Sequence, residues 1–215
     1  ERPCSIELIY PDGRSGFQVD AGARIRGGVS RLPNNPKHSF RFLCREQYGD
    51  AKLKFELFGR TGASEYDGFD LRAFSNTGWT VPVYGTGLFV PDPFSRNTLL
   101  AMGQPGERGN FYHLYINGQY WGMYNSCERP EASFAASYFG GAPEDYDVLK
   151  PDYDLGATMQ PTDGNGSAWS RLWQAAVDGF ETNEKYFGVQ GRNSDGSPNP
   201  SLENLLDVTS LVDYL

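Results

Sequence analysis

Residues 111 to 128 read FYHLYINGQYWGMYNSCE, two aromatic-rich runs on either side of Asn117-Gly118. Asn-Gly accepts the positive φ angles of a type I′ turn, so the stretch predicts a β-hairpin. A hairpin in a soluble domain buries one face, and on that ground Tyr120, Trp121 and Tyr124 are expected in the core rather than as an exposed sugar-stacking platform. Immediately downstream, Pro130 and Glu131 suit the first turn of a helix, Ala132 to Phe139 continues it, and Gly140-Gly141 stops it. The local order is strand, turn, strand, helix.

The upstream sequence adds more extended segments. Cys4 to Tyr10 alternates, Pro11-Asp12-Gly13 is a turn signal, and Gly16 to Val19 resumes extended character, which predicts a first hairpin. Arg24 to Ser30 (RIRGGVS) passes through a glycine pair into the turn-rich Leu32 to Pro36. Lys37 to Phe42 (KHSFRF) then reads as a strand with His38, Phe40 and Phe42 on one face and Lys37, Ser39 and Arg41 on the other. Lys52 to Phe58 (KLKFELF) and Phe69 to Phe74 (FDLRAF) are two further strands by alternation. Val81 to Pro93 is rich in Gly and Pro, and Phe94 to Met102 is a short helix ended by Gly103.

Beyond Asp145, Val148-Leu149 leads into an acidic, Gly-rich stretch from Asp152 to Gly166. Ala168 to Phe180 is predicted helical, with Trp169, Leu172, Trp173 and Val177 on one side. Gly188 to Pro200 has the composition of an exposed loop, and Leu202 to Leu215 begins a last helical pattern. The fold class is therefore α+β, an antiparallel sheet with a few helices.

Bulk properties bound the function. A chain of 215 residues is the length of one domain, and its net charge of −8 argues against a broad phosphate-neutralising surface, so nucleic acid is not expected as a partner. No apolar run approaches the roughly 18 residues of a membrane span. The chain begins at Glu1 without a charged-then-apolar leader, which is expected of a processed or trimmed start. Cys4, Cys44 and Cys127 lie far apart and read as structural, buried or singly bridged. His38 and His113 are the only histidines. They leave little material for a zinc site or a Ser-His-Asp hydrolase. Asp145, Asp147, Asp152, Asp154 and Asp163 do not follow the calcium-loop spacing and read as a solvated loop, so no metal ligands are assigned.

Several short pieces form an ordered set: Gly27-Gly28-x-Ser30, Lys37-x-Ser39-Phe40-x-Phe42, Leu71-Arg72, Tyr115-x-Asn117-Gly118-x-Tyr120-Trp121-Gly122-x-Tyr124, and Glu128-Arg129-Pro130. Together they resemble the CotH (spore coat protein H) family of atypical protein kinases over roughly the whole chain. The resemblance implies a bacterial, extracytoplasmic kinase, secreted or on the spore surface, with a remote protein-kinase-like fold. It implies ATP with Mg or Mn as cofactors and Ser hydroxyls of proteins as acceptors. Carried over residue by residue, Lys37 matches the family's nucleotide-binding lysine, Gly27, Gly28 and Ser30 the loop before it, and Glu128 to Pro130 the end of the strand leading to the hinge between lobes. The same match divides the chain into a nucleotide-lobe-like sheet with one helix, residues 1–130, and the start of a helical second lobe, residues 131–215.

The family's base and metal-ligating aspartates follow a helix resembling Leu205 to Leu215, and no such segment is present. The chain is accordingly expected to be a fragment whose missing partner is the remainder of the kinase domain beyond Leu215. By itself it should transfer phosphate negligibly, and no catalytic residue is assigned. The chemistry of the carried-over residues agrees with the roles: a Lys on the polar face of a strand can reach phosphates, and a small-residue turn lets backbone N–H groups approach them. Apart from the resemblance, Lys37 would be a solvated strand lysine, Gly27-Gly28 a turn or bulge, and Glu128 an exposed acid. The alternative is a non-enzymatic extracellular surface or carbohydrate-binding module that uses Trp121 and its neighbours for contact.

Overall fold

The computed structural model describes residues 1–33, 35–74, 87–152 and 158–215. Asn34, Asp154 and the first part of the Gly- and Pro-rich run, Val81 to Thr86, lie outside the described residues. The first hairpin pairs β1 (Arg2–Glu7) with β2 (Gln18–Arg26), closing with Glu7 opposite Gln18. β3 (Ser39–Leu43) adds to β2, and β6 (Gly68–Arg72) adds to β3. The hairpin of β7 (Phe111–Ile116) and β8 (Gln119–Cys127) completes a six-stranded sheet in the order β1-β2-β3-β6-β8-β7, antiparallel throughout. At its turn Asn117 has φ 49° and Gly118 φ 79°, the pair of positive angles that the Asn-Gly dipeptide accommodates.

One face of this sheet is the core. Phe42, Phe69, Leu71 and Tyr124 are buried there, with rings meeting at 5.3 Å for Phe42–Phe69 and 5.9 Å for Phe40–Tyr124. The segment between β3 and β6 covers it. Lys52 to Phe58 is not the strand its alternation predicts: only β4 (Leu53–Lys54) pairs, with β5 (Glu65–Tyr66). The chain then turns, Leu57 N donating to Phe55 O at 2.8 Å, so that the adjacent Leu57 and Phe58 are both buried. A strand places neighbours on opposite faces, and burying two consecutive side chains in one core requires leaving it.

Among the described residues there are five α-helices, four of which follow the predicted order with shifted ends. α1 (Pro91–Ala101) starts at a proline that fills the first turn, three residues before the expected Phe94, and α2 (Ala132–Phe139) stops at Gly140 with φ 85°. Within the stretch read as an acidic loop, β9 (Val148–Asp152) and β10 (Thr158–Asp163) form a separate two-stranded ribbon. Pro151 and Pro161 are tolerated because a ribbon has no inner strand whose ladder they would interrupt. α3 (Ser167–Val177), α4 (Asn183–Gly188) and α5 (Val208–Tyr214) complete the chain. α4, capped by Thr182 Oγ1 accepting from Lys185 N, was not foreseen in the sequence. Among the described residues, no helix is long and apolar enough to cross a membrane.

Trp121 departs from its expected place. Tyr124 is fully buried, but Trp121 is 45% and Tyr120 51% exposed. The register shifts between Leu114 and Tyr115, a bulge near the hairpin tip. The tip projects past the core, so the rings there pair with each other: Tyr115 and Tyr120 centroids are 5.2 Å apart, and exposed His113 Nδ1 lies 2.8 Å from the Tyr120 hydroxyl.

Candidate functional site

The second face of the sheet carries charge. Cross-strand pairing places Arg24 opposite Arg41, Arg41 opposite Asp70, and Asp70 opposite Cys127, one row over four strands. Asp70 is 2% exposed and holds two guanidinium groups. Arg41 approaches it in a fork, Nε to Oδ1 at 2.8 Å and Nη2 to Oδ2 at 3.0 Å, while Arg26 Nη1 reaches Oδ2 at 2.6 Å. This two-point geometry is specific to Arg and fixes the plane of the Arg41 head group. Arg72 pairs with Asp92 at the start of α1, and Arg96 of α1 donates to Asn125 Oδ1 at 2.6 Å, which fastens the helix to this face.

Arg129, just after β8, joins the group. It pairs with Glu131, yet its buried Nε has no acceptor among the described residues. Burial, followed by the neighbouring charge of Arg41, Arg24 and Arg26, lowers its pKa to about 10, with Asp70 opposing. Glu107 is nearby and its carboxyl is pushed up by burial, with Arg96 and Arg72 opposing.

In front of these side chains opens a cleft of about 830 Å³. The sheet's charged row and Gly27-Gly28 form one side, and Val148 to Asp152 with Thr162 of the β9–β10 ribbon form the other. That volume is within the range of sites for nucleotide-sized molecules. Its lining includes Arg24, Arg26, Arg31, Arg41, Arg72, Arg129 and Lys150 against Asp70, Glu107, Glu128, Glu131 and Asp152, seven cations to five acids in a chain whose net charge is −8. The chain-wide count hides this local excess.

The structure brings together three of the residues singled out from sequence. Gly27, Gly28 and Glu128 line the cleft. Gly27 has φ +117°, and a Cβ there would collide with Ser30 Oγ, whereas in front of Gly28 the space is open. Ser30 therefore packs behind the turn, its carbonyl 3.0 Å from His38 Nδ1. Glu128 is not an exposed acid: it is 2% exposed, takes a hydrogen bond from Arg108 N at 2.8 Å on Oε2 and one from the Tyr138 hydroxyl on Oε1. It ties the end of β8 to α2, and burial raises its pKa against those bonds.

Lys37 is elsewhere. Its Nζ donates to Met123 O at 2.6 Å and lies 4.4 Å from the centroid of Tyr124, and it is absent from the cleft lining. The strand begins only at Ser39, after a bend at Pro36 and Lys37, so the alternation that separates Phe40 from Arg41 does not extend back to Lys37. Its ammonium reaches the aromatic side instead, and burial lowers its pKa.

The acids of the loop region serve local structure. Asp145 Oδ2 accepts from Ala142 N, Asp147 Oδ1 from Asn165 N, and Asp163 Oδ2 from Ala132 N. Asp152 lines the cleft. Among the described residues no three His, Cys, Asp or Glu side chains converge as a metal cluster, and Cys4, Cys44 and Cys127 are free thiols. Sequence reasoning missed Arg24, Arg26, Arg41, Asp70 and Arg129 as a group. Their signal was present as charged residues alternating with apolar ones in β2, β3 and β6, but which strands adjoin is a tertiary fact.

The family model described as CotH kinase protein matches residues 23–215, and no curated protein matches the chain.

Proposed function

The chain belongs to the CotH kinase protein family, and from that premise we propose that it binds ATP in the arginine-walled cleft as part of an ATP-dependent phosphotransferase acting on Ser hydroxyls of proteins outside the cytoplasm. The observation that carries this reading is the convergence of Gly27, Gly28 and Glu128 with a cationic wall around one cleft of nucleotide size. In phosphoryl transfer the protein's share is mostly positioning and charge neutralisation, and this wall is suited to both. The open space before Gly28 lets backbone approach a ligand, and Gly27 keeps the turn in a conformation that a side chain would strain.

Glu131, paired with Arg129, and Asp152 are carboxylates of the lining on the side a divalent cation would approach. The residues fit a cation that arrives on the phosphates better than one held by a protein cage. Mg or Mn, when bound, neutralises charge on the transferred phosphoryl group. No side chain is assigned as the base.

Calorimetric titration with MgATP tests the reading, followed by radiolabelled phosphate transfer to Ser-containing proteins with Mg and with Mn. Saturable binding competed by ADP is expected, and a chain that shows no saturable binding of either nucleotide overturns it. A second reading, a carbohydrate-binding or surface-contact module, rests on the exposed rings of Tyr115, Tyr120 and Trp121 at the hairpin tip. Loss of glycan binding in Trp121→Ala, with nucleotide binding absent, would favour it.

A further inference from the structure

We propose that the polyphosphate subsite of the cleft is the arginine corner of Arg24, Arg41 and Arg129 built around Asp70, and that Lys37 takes no part in it. The inference deepens the nucleotide reading and rests on it. Its first support is geometric: Arg24 and Arg41 are cross-strand neighbours, and both line the cleft with Arg129. Asp70 is already occupied, because its two oxygens hold Arg41 and Arg26. None of the ion pairs among the described residues includes Arg24, and Arg129 keeps a buried Nε without an acceptor.

The corner therefore holds more guanidinium charge than its carboxylates satisfy. Such an excess is costly around the little-exposed Arg129 unless a ligand compensates it, because like charges are weakly screened where water is largely excluded. The charge of Arg41, Arg24 and Arg26 acts on Arg129 in the same direction as its burial, lowering its pKa. An oxyanion placed there would relieve the repulsion and accept several charge-assisted hydrogen bonds from planar donors, the geometry in which Arg excels with phosphate.

Lys37 points away from this place. Its ammonium is committed to Met123 O and the Tyr124 ring, and drawing it into the cleft would break both contacts. A divalent cation carried by the nucleotide would sit on the far side of the phosphates from the arginines, since like charges repel.

The test is calorimetric titration of the full chain with inorganic triphosphate and with MgATP, at low and high salt. Four proteins are compared: the natural sequence, Arg24→Gln, Arg129→Gln and Lys37→Gln. Arg24 is exposed, so Arg24→Gln should fold even if Arg129→Gln is destabilised. Each arginine variant is expected to weaken both ligands by about tenfold or more, as loss of one charge-assisted contact does, with the effect shrinking at high salt. Lys37→Gln should stay within about twofold.

Loss of MgATP binding in Lys37→Gln, with both arginine variants unaffected, overturns the inference and leaves the nucleotide reading standing. Arginine-dependent triphosphate binding without MgATP binding overturns the nucleotide reading and leaves an arginine anion site. Absence of binding by either ligand overturns both.

Discussion

Asp70→Asn is the substitution whose cost the structure defines best. Asp70 sits 2% exposed at the centre of three guanidinium contacts between 2.6 and 3.0 Å. The change keeps the shape and one acceptor oxygen but removes the only negative charge between Arg26 and Arg41. Breaking a buried pair by neutralising one partner costs about 3 to 5 kcal/mol, because the other charge is left uncompensated. The arginine side chains are 17% and 30% exposed, so Arg26 can swing toward water and recover part of its solvation. The expected loss is therefore at the lower end, about 3 kcal/mol. Urea unfolding at neutral pH measures it, as a fall in midpoint at constant m-value. A double-mutant cycle sharpens the argument: Arg26→Gln should destabilise the natural sequence but cost little or even stabilise in the Asp70→Asn background, where it removes an unpaired cation. A loss below about 1 kcal/mol, or strictly additive effects, would refute the view that Asp70 organises the arginine wall. Inorganic triphosphate at about 100 times its dissociation constant should return about 2.7 kcal/mol to the variant.

Other outcomes follow from burial at single sites. Trp121→Ala should cost less than about 1 kcal/mol because the ring is 45% exposed, whereas Tyr124→Ala, fully buried, should cost about 3 to 5. Spectroscopic titration should find the Tyr124 phenol un-ionised at pH 10 to 11, since burial pushes it up to about 12. Burial also pushes the Cys127 thiol up to about 12, so a thiol reagent at pH 8 should label partly exposed Cys4 long before Cys127, and equal rates would place Cys127 at the surface. Glu107 has a folded pKa raised by burial, so the native state binds its proton more tightly than the unfolded chain does. Its share of stability is highest in acid and falls as pH rises from its unfolded value through its raised folded value. Glu107→Gln should flatten that slope in urea midpoints measured across the range, and an unchanged slope would remove Glu107 as its source.

The elements legible in the sequence were those specified by neighbours in the chain. Asn117-Gly118 fixed the β7–β8 turn because few other dipeptides accept two positive φ angles, and Gly140 ended α2 for the same reason. Alternation in β3 sorted Phe40 and Phe42 from Ser39 and Arg41, and it failed at Lys37 because period-two order holds only where a ladder enforces it. The β9–β10 ribbon escaped notice since acidic and proline-containing strands carry no apolar periodicity.

The ordered motifs carried the family, as a string of local signatures can. Where those residues meet was decided only by the fold. Arg24, Arg41, Asp70 and Arg129 are spread over 106 positions of chain and become neighbours because β2, β3, β6 and β8 stand in that order in one sheet. A formal charge of −8 could not show that row, since a sum over the sequence discards position and electrostatic energy depends on distance. Nor could composition tell buried Tyr124 from exposed Trp121, three residues apart on one strand: a bulge and the reach of the hairpin beyond the core set their burial.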